Sequence, residues 1–112
     1  MCVQEGKLVI VSEYCQRIGL KRLPAGTPEG LAALQYAQRK AIPFENLDIC
    51  LGREICIDSG AVFAKLVTAR RGGYCFEQNM LLAAALTAMN IPNRPVLARV
   101  WLGATETPPF TH

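Results

Sequence analysis

Between residues 76 and 89 the chain carries Leu81, Leu82, Ala84, Ala85, Leu86 and Ala88, apolar on nearly every side of a helix, before Asn90 and Pro92 close the run. A helix without a polar face must be enclosed by other elements. The segment therefore predicts a buried central helix with the rest of the domain packed around it. Its continuous apolar part, residues 80–89 broken by Thr87, is too short to span a bilayer.

The cover is predicted to come from shorter helices. Thr27 is placed to cap one, with Pro28 where the first turn has no use for an N–H, and Glu29 near the positive end of the dipole. Leu31, Leu34 and the Ala37/Gln38 turn share one side, Gln35, Gln38 and Arg39 are left to water, and Pro43 stops the helix. Upstream, Ser12 caps a short helix with Tyr14, Cys15 and Ile18, ended by Gly19; residues 23–26 then form a loop. Downstream, Asp58 or Ser59 caps a helix whose Val62, Phe63, Leu66 and Val67 make a core stripe ended by Gly72-Gly73. Residues 42–48 read as an irregular connection, 49–51 with 55–57 as a small hairpin, and 94–103 as a strand by their Val, Leu and Trp content. The fold class is α+β and mainly α: a helical domain over residues 1–92 with a small hairpin, then strand structure over residues 93–112.

Half of the 112 residues are hydrophobic, which marks a globular chain, and the length leaves room for one complete domain. Net charge is +3, with basic residues scattered apart from the Arg70-Arg71 pair, a pattern that argues against nucleic acid as a partner. Five cysteines without a C-x-x-C spacing, and His112 as the single histidine, argue against a disulfide framework and against a structural metal site. With no basic-then-apolar leader before residue 12 and no membrane span, the expected compartment is the cytoplasm, where thiols stay reduced.

Of the five cysteines, Cys75 alone sits where a glycine pair meets the start of a helix. The N–H groups and dipole at such a terminus favour thiolate over thiol, and Arg70 and Arg71 add positive charge. Gly72 and Gly73 allow close backbone approach and a tight turn that presents the sulfur at the helix tip. Cys2, Cys15, Cys50 and Cys56 read as small buried hydrophobes, Glu45 and Asp48 as loop residues bonding local backbone, and His112 as a solvated side chain. A redox role for Cys75 would need a resolving cysteine, for which no spacing argues.

The run Arg70-Arg71-Gly72-Gly73-Tyr74-Cys75-Phe76-Glu77-Gln78-Asn79, with Ile42-Pro43-Phe44-Glu45-Asn46-Leu47-Asp48 upstream and a histidine after Thr111, resembles the arylamine N-acetyltransferases. The resemblance implies ping-pong transfer of an acetyl group from acetyl-coenzyme A, through a cysteine thioester, to an arylamine, hydrazine or heterocyclic amine. No permanently bound cofactor is implied; acetyl-coenzyme A is a co-substrate. The family's nucleophile falls on Cys75 and its histidine on His112, with Arg71, Gly72, Gly73 and Glu45 supporting the site. Glu45 is expected to pair with Arg71 and brace the glycine turn. Family chains continue beyond the histidine, through the triad aspartate, the rest of a β-barrel and an α/β lid. Residues 93–112 are thus implied to be the start of a truncated barrel, and the 112 residues alone are expected to have little or no acetyltransferase activity. The alternative expectation is a catalytically incompetent helical fragment that only binds or associates.

Overall fold

The structure is a computed structural model, and it describes residues 11–98, the side chain of Ser59 aside. Five α-helices follow in order: α1 Val11–Ile18, α2 Pro28–Ala41, the single turn α3 Leu47–Cys50, α4 Ser59–Phe63 and α5 Cys75–Ala88. α4 runs directly into a π-helical segment, Ala64–Thr68.

The starts of α2 and α4 follow the local chemistry of the sequence, whereas Ser12, expected to cap α1, is the second residue of that helix. Thr27 caps α2, its hydroxyl accepting the Gly30 N–H at 3.0 Å behind Pro28, and Asp58 caps α4 by accepting the Ala61 N–H at 3.0 Å. Three helices end on one device, a residue at positive φ followed by paired backward hydrogen bonds. Gly19 (φ 80) closes α1, Gly52 (φ 73) closes α3 and Asn90 (φ 61) closes α5. At α1, for example, Leu20 N–H reaches Cys15 O at 2.9 Å and Gly19 N–H reaches Gln16 O at 3.3 Å. The stripe at 62–67 does not run on to Gly72-Gly73 as predicted. At the π segment the N–H reaches one residue further back than in an α-helix, so Ala69 N–H bonds Ala64 O at 2.9 Å; past its end, Arg71 N–H reaches six residues back to Lys65 O at 3.0 Å. The chain then reverses at Arg70, which takes the left-handed conformation (φ 54) itself.

The core joins Tyr14, Cys15 and Ile18 of α1, Leu34 and Ala37 of α2, Ile42, Val62 of α4, Leu66 and Val67 of the π segment, and Leu81 and Ala85 of α5. Gln38, expected at the water side of α2, is buried; the fully enclosed Tyr14 hydroxyl needs an acceptor and donates to Gln38 Oε1 at 2.6 Å. α5 is less enclosed than its composition predicts. Leu81 and Ala85 are buried while Leu82, Ala83, Ala84 and Leu86 are half-buried, because among the described residues the other helices cover one side of it.

The hairpin is absent. Residues 47–50 form α3, Leu51 and Gly52 turn, and 53–57 have no regular structure. Asp48 O and Ile49 O receive the N–H groups of Arg53 and Gly52 at 2.8 and 3.0 Å, so this backbone satisfies itself within the turn and offers no ladder. The strand predicted at 94–103 has no strand structure over residues 94–98, and its remainder lies outside the described residues. Hence the barrel part of the fold expectation has no support among the described residues, where β-pairing is an isolated parallel bridge between Phe44 and Gly73. Cys56 is disulfide-bonded, which departs from the expectation that it serves as a small core thiol.

Candidate active site

Cys75 is the first residue of α5, a half-buried thiol outside any disulfide, at the helix end where the first-turn N–H groups lack intrahelical partners. Tyr74 precedes it in extended backbone (φ −90, ψ −176) and donates its N–H to Glu77 Oε1 at 3.1 Å. Glu77, the third residue of the helix, thereby fastens the start of α5 from inside.

The glycine pair serves close approach. Gly73 N–H donates to Pro43 O at 3.1 Å and Glu45 N–H donates to Gly73 O at 3.1 Å, so residues 71–74 are strapped to residues 43–45. A Cβ on Gly72 would lie 2.3 Å from Pro43 O and 2.9 Å from Glu45 Cγ. One on Gly73 would lie 3.0 Å from Glu77 Oε1 and 3.1 Å from Leu66 Cδ1. Neither glycine adopts positive φ, so the expected tight turn falls to Arg70 and the glycines give the strap its room. Gln78 locks the same strap: its Nε2 lies 3.0 Å from Ile42 O and 3.1 Å from Pro43 O, and its Oε1 accepts from Gln38 Nε2 at 3.3 Å.

Charges brace the strap from the other side. Arg71 Nη2 lies 3.3 Å from Glu45 Oε2, the pairing expected from sequence, and 3.0 Å from Asp48 Oδ1. Lys65 Nζ bridges Asp48 Oδ2 at 3.2 Å and Glu77 Oε2 at 2.9 Å. The line Glu45, Arg71, Asp48, Lys65, Glu77 thus runs from the loop before α3 to the first turn of α5. Hydrogen bonds from Arg71 and then Lys65 hold the Asp48 carboxyl at about 2. Burial opposes the charge on Lys65, but its hydrogen bonds to Glu77 and Asp48 outweigh that and keep its pKa above the ordinary value. The Tyr74 phenol is pushed up by burial and then by the Glu77 charge.

A depressed carboxyl adds stability in full above its unfolded value of 3.8, and that stability is lost as pH falls through the window down to about 2. The stability advantage of the native chain over Asp48→Asn should therefore be constant from neutral pH to about pH 5 and shrink below pH 4. Urea unfolding of both proteins at several pH values checks this; an advantage undiminished at pH 2.5 would refute it.

Asp48, Lys65, Glu77 and Gln78 carry much of this geometry, and residue-type reasoning did not single them out as a group. A carboxylate three residues after the helix cap is a readable signal for Glu77. For Lys65 the sequence offers none, since its partners are distant in the chain. His112 lies outside the described residues, so the structure brings Cys75, Glu45, Arg71, Gly72 and Gly73 together without placing the histidine. A groove of about 490 Å3 runs beside the strap between Tyr36, Phe44, Gln78, Asn79 and Leu82. Cys75 does not line it, although 78, 79 and 82 share its helix face by spacing.

A family model described as N-acetyltransferase matches residues 27–112. The protein named arylamine N-acetyltransferase / N-hydroxyarylamine O-acetyltransferase from Salmonella typhimurium is 46% identical over 100 residues, covering 88% of this chain and 36% of that one. Arylamine N-acetyltransferase from Escherichia coli is 42% identical over 104 residues, covering 92% and 37%. Among solved structures, the Salmonella typhimurium arylamine N-acetyltransferase superposes with a TM-score of 0.84 at 41% identity, over 92% of this chain and 38% of that one. Mycobacterium marinum arylamine N-acetyltransferase in complex with CoA superposes with a TM-score of 0.80 at 34% identity, over 88% and 37%. The chain spans just over a third of the length of these relatives. With its cysteine at the tip of α5, strapped and braced as described, it belongs to the arylamine N-acetyltransferase family of acyltransferases.

Proposed function

We propose that Cys75 accepts an acetyl group from acetyl-coenzyme A and passes it to an aromatic amine, hydrazine or heterocyclic amine. The reading rests above all on the position of Cys75 at the first turn of α5, within the stretch that the N-acetyltransferase family model matches. The thiolate attacks the thioester carbonyl, the C–S bond to coenzyme A breaks, and coenzyme A leaves as a thiolate that takes up a proton. The amine then attacks the acetyl-Cys75 carbonyl, loses a proton and expels the Cys75 thiolate. His112 accepts protons from the thiol and later from the amine. First-turn N–H groups of α5 steady the oxyanion formed in each step. Arg71, Glu45, Gly72 and Gly73 hold the strap that keeps Cys75 at the helix tip. Support for coenzyme A as a ligand comes from the Mycobacterium marinum neighbour, whose structure is a complex with CoA. In the same reading, residues 1–92 form the helical domain and 93–112 begin a second one. No helix among the described residues is long and apolar enough to cross a membrane.

A second reading, that these 112 residues bind or associate without turnover, is favoured by their match to just over a third of each relative. One experiment separates the two. The chain is incubated with acetyl-coenzyme A and followed by intact mass with peptide mapping. A single acetyl group on Cys75, absent from Cys75→Ser and discharged by added aniline, would carry the first reading and overturn the expectation that these 112 residues alone have little or no activity. An adduct that persists supports the second reading, and acetylation elsewhere or nowhere overturns the role of Cys75.

A further inference from the structure

Glu77 places a carboxylate two residues from Cys75, at 2% side-chain exposure, in the first turn of the helix whose dipole favours the thiolate. Its Oε1 accepts the N–H of Tyr74, the residue directly before Cys75. A second negative charge at that spot works against ionisation of the thiol, because like charges in a poorly solvated site disfavour each other. The same carboxylate is needed to fasten the helix start. The two demands conflict unless its charge is cancelled locally.

Lys65 is placed to cancel it. From the π segment its Nζ meets both Glu77 oxygens, at 2.9 and 3.2 Å, while its third contact is Asp48 Oδ2 at 3.2 Å. Asp48 is itself held by Arg71 at 3.0 Å and Arg53 at 3.4 Å, which leaves the Lys65 charge available to Glu77. The Tyr74 phenol senses this pair as well: its ionisation is opposed first by burial and then by the Glu77 charge, and eased by Lys65. The π register contributes, since Lys65 lies on the helical segment with Leu66, which packs against Gly73.

We propose that Lys65 is a positioning residue for Cys75: by neutralising the buried Glu77 carboxylate it lets that carboxylate fasten the tip of α5 without opposing the thiolate. The proposal rests on Cys75 acting as a thiolate nucleophile, yet it is tested without acetyl transfer. Alkylation of Cys75 by iodoacetamide, mapped by peptide mass as a function of pH, reports the thiolate alone. Failure of the acetylation experiment would therefore leave this result standing, and the reverse.

In Lys65→Met the alkylation midpoint should rise by about one pH unit. Lys65→Arg and the double variant Lys65→Met/Glu77→Gln should return it to within a few tenths of the native value. A role confined to packing would not make removal of a second charge restore the midpoint. Glu77→Gln alone keeps an acceptor for Tyr74 N–H and should lower the midpoint, a measurement that stands if Lys65→Met does not fold. An unchanged midpoint in Glu77→Gln, or one in the double variant as high as in a folded Lys65→Met, would overturn the proposal.

Discussion

Gly72→Ala is expected to lower stability by about 3 kcal/mol, toward the upper end of the cost of overpacking a tight site. For a domain of this size that is a fall of roughly 10 °C or more in melting temperature. The added methyl would sit 2.3 Å from Pro43 O, 2.9 Å from Glu45 Cγ and 3.1 Å from Pro43 Cγ. Pro43 is bound to the strap through its own carbonyl and cannot withdraw without breaking the bond to Gly73 N–H. Glu45 could swing aside only by giving up Arg71. Gly19→Ala is the control. That glycine has φ 80 with open space around it, so alanine there meets backbone strain of about 1 kcal/mol and no collision. Thermal unfolding of both variants checks the contrast, and a Gly72→Ala loss no larger than that of Gly19→Ala would refute it.

Arg17→Ala is expected to cost about 3 kcal/mol, a charged donor having been removed from several backbone acceptors. Arg17 Nε donates to Leu66 O at 2.7 Å, Nη1 to Ala41 O at 2.9 Å and Nη2 to Arg71 O at 3.4 Å. One guanidinium from α1 therefore serves the last residue of α2, the π segment and the loop that carries the glycines. Burial and then the nearby Arg70 draw its pKa below the usual value, so the charge is held against opposition and gives strength to these bonds. Arg17→Lys keeps the charge but has no planar fork to span three carbonyls, and it should recover less than half of the loss. Denaturant unfolding of Arg17→Ala and Arg17→Lys measures both. A loss below 1 kcal/mol in Arg17→Ala, or full recovery in Arg17→Lys, would show that water replaces these bonds cheaply.

What could be read from the sequence follows from how local each cause is. Thr27 caps Gly30 three residues on, Asp58 caps Ala61, and Gly19 turns a helix by its own backbone freedom, so these features were legible. Ile49, Leu51, Ile55 and Ile57 alternate as a strand pair would, and that signal misled. The partners that hold 47–50 as a helical turn, Arg71 and Lys65 on Asp48, lie about twenty residues away in the chain. The π segment was equally hidden, because a shift of one residue in hydrogen bonding leaves no mark in an apolar stripe of four. The position of Cys75 at the start of α5 was legible from a glycine pair before an apolar helix, and the pairing of Glu45 with Arg71 from opposite charges in two motif loops. Gln38 was misplaced because its burial depends on Tyr14, 24 residues earlier, needing an acceptor.

The bridge between Phe44 and Gly73 closes a loop that contains α3, α4 and the π segment. Closing a loop costs only about 0.6 kcal/mol more for each doubling of its length. Its irregular stretch at 53–57 can therefore gain residues over evolutionary time with little penalty to the pairing. Added length there taxes the closure little, whereas a single added carbon at Gly72 collides with Pro43 and Glu45.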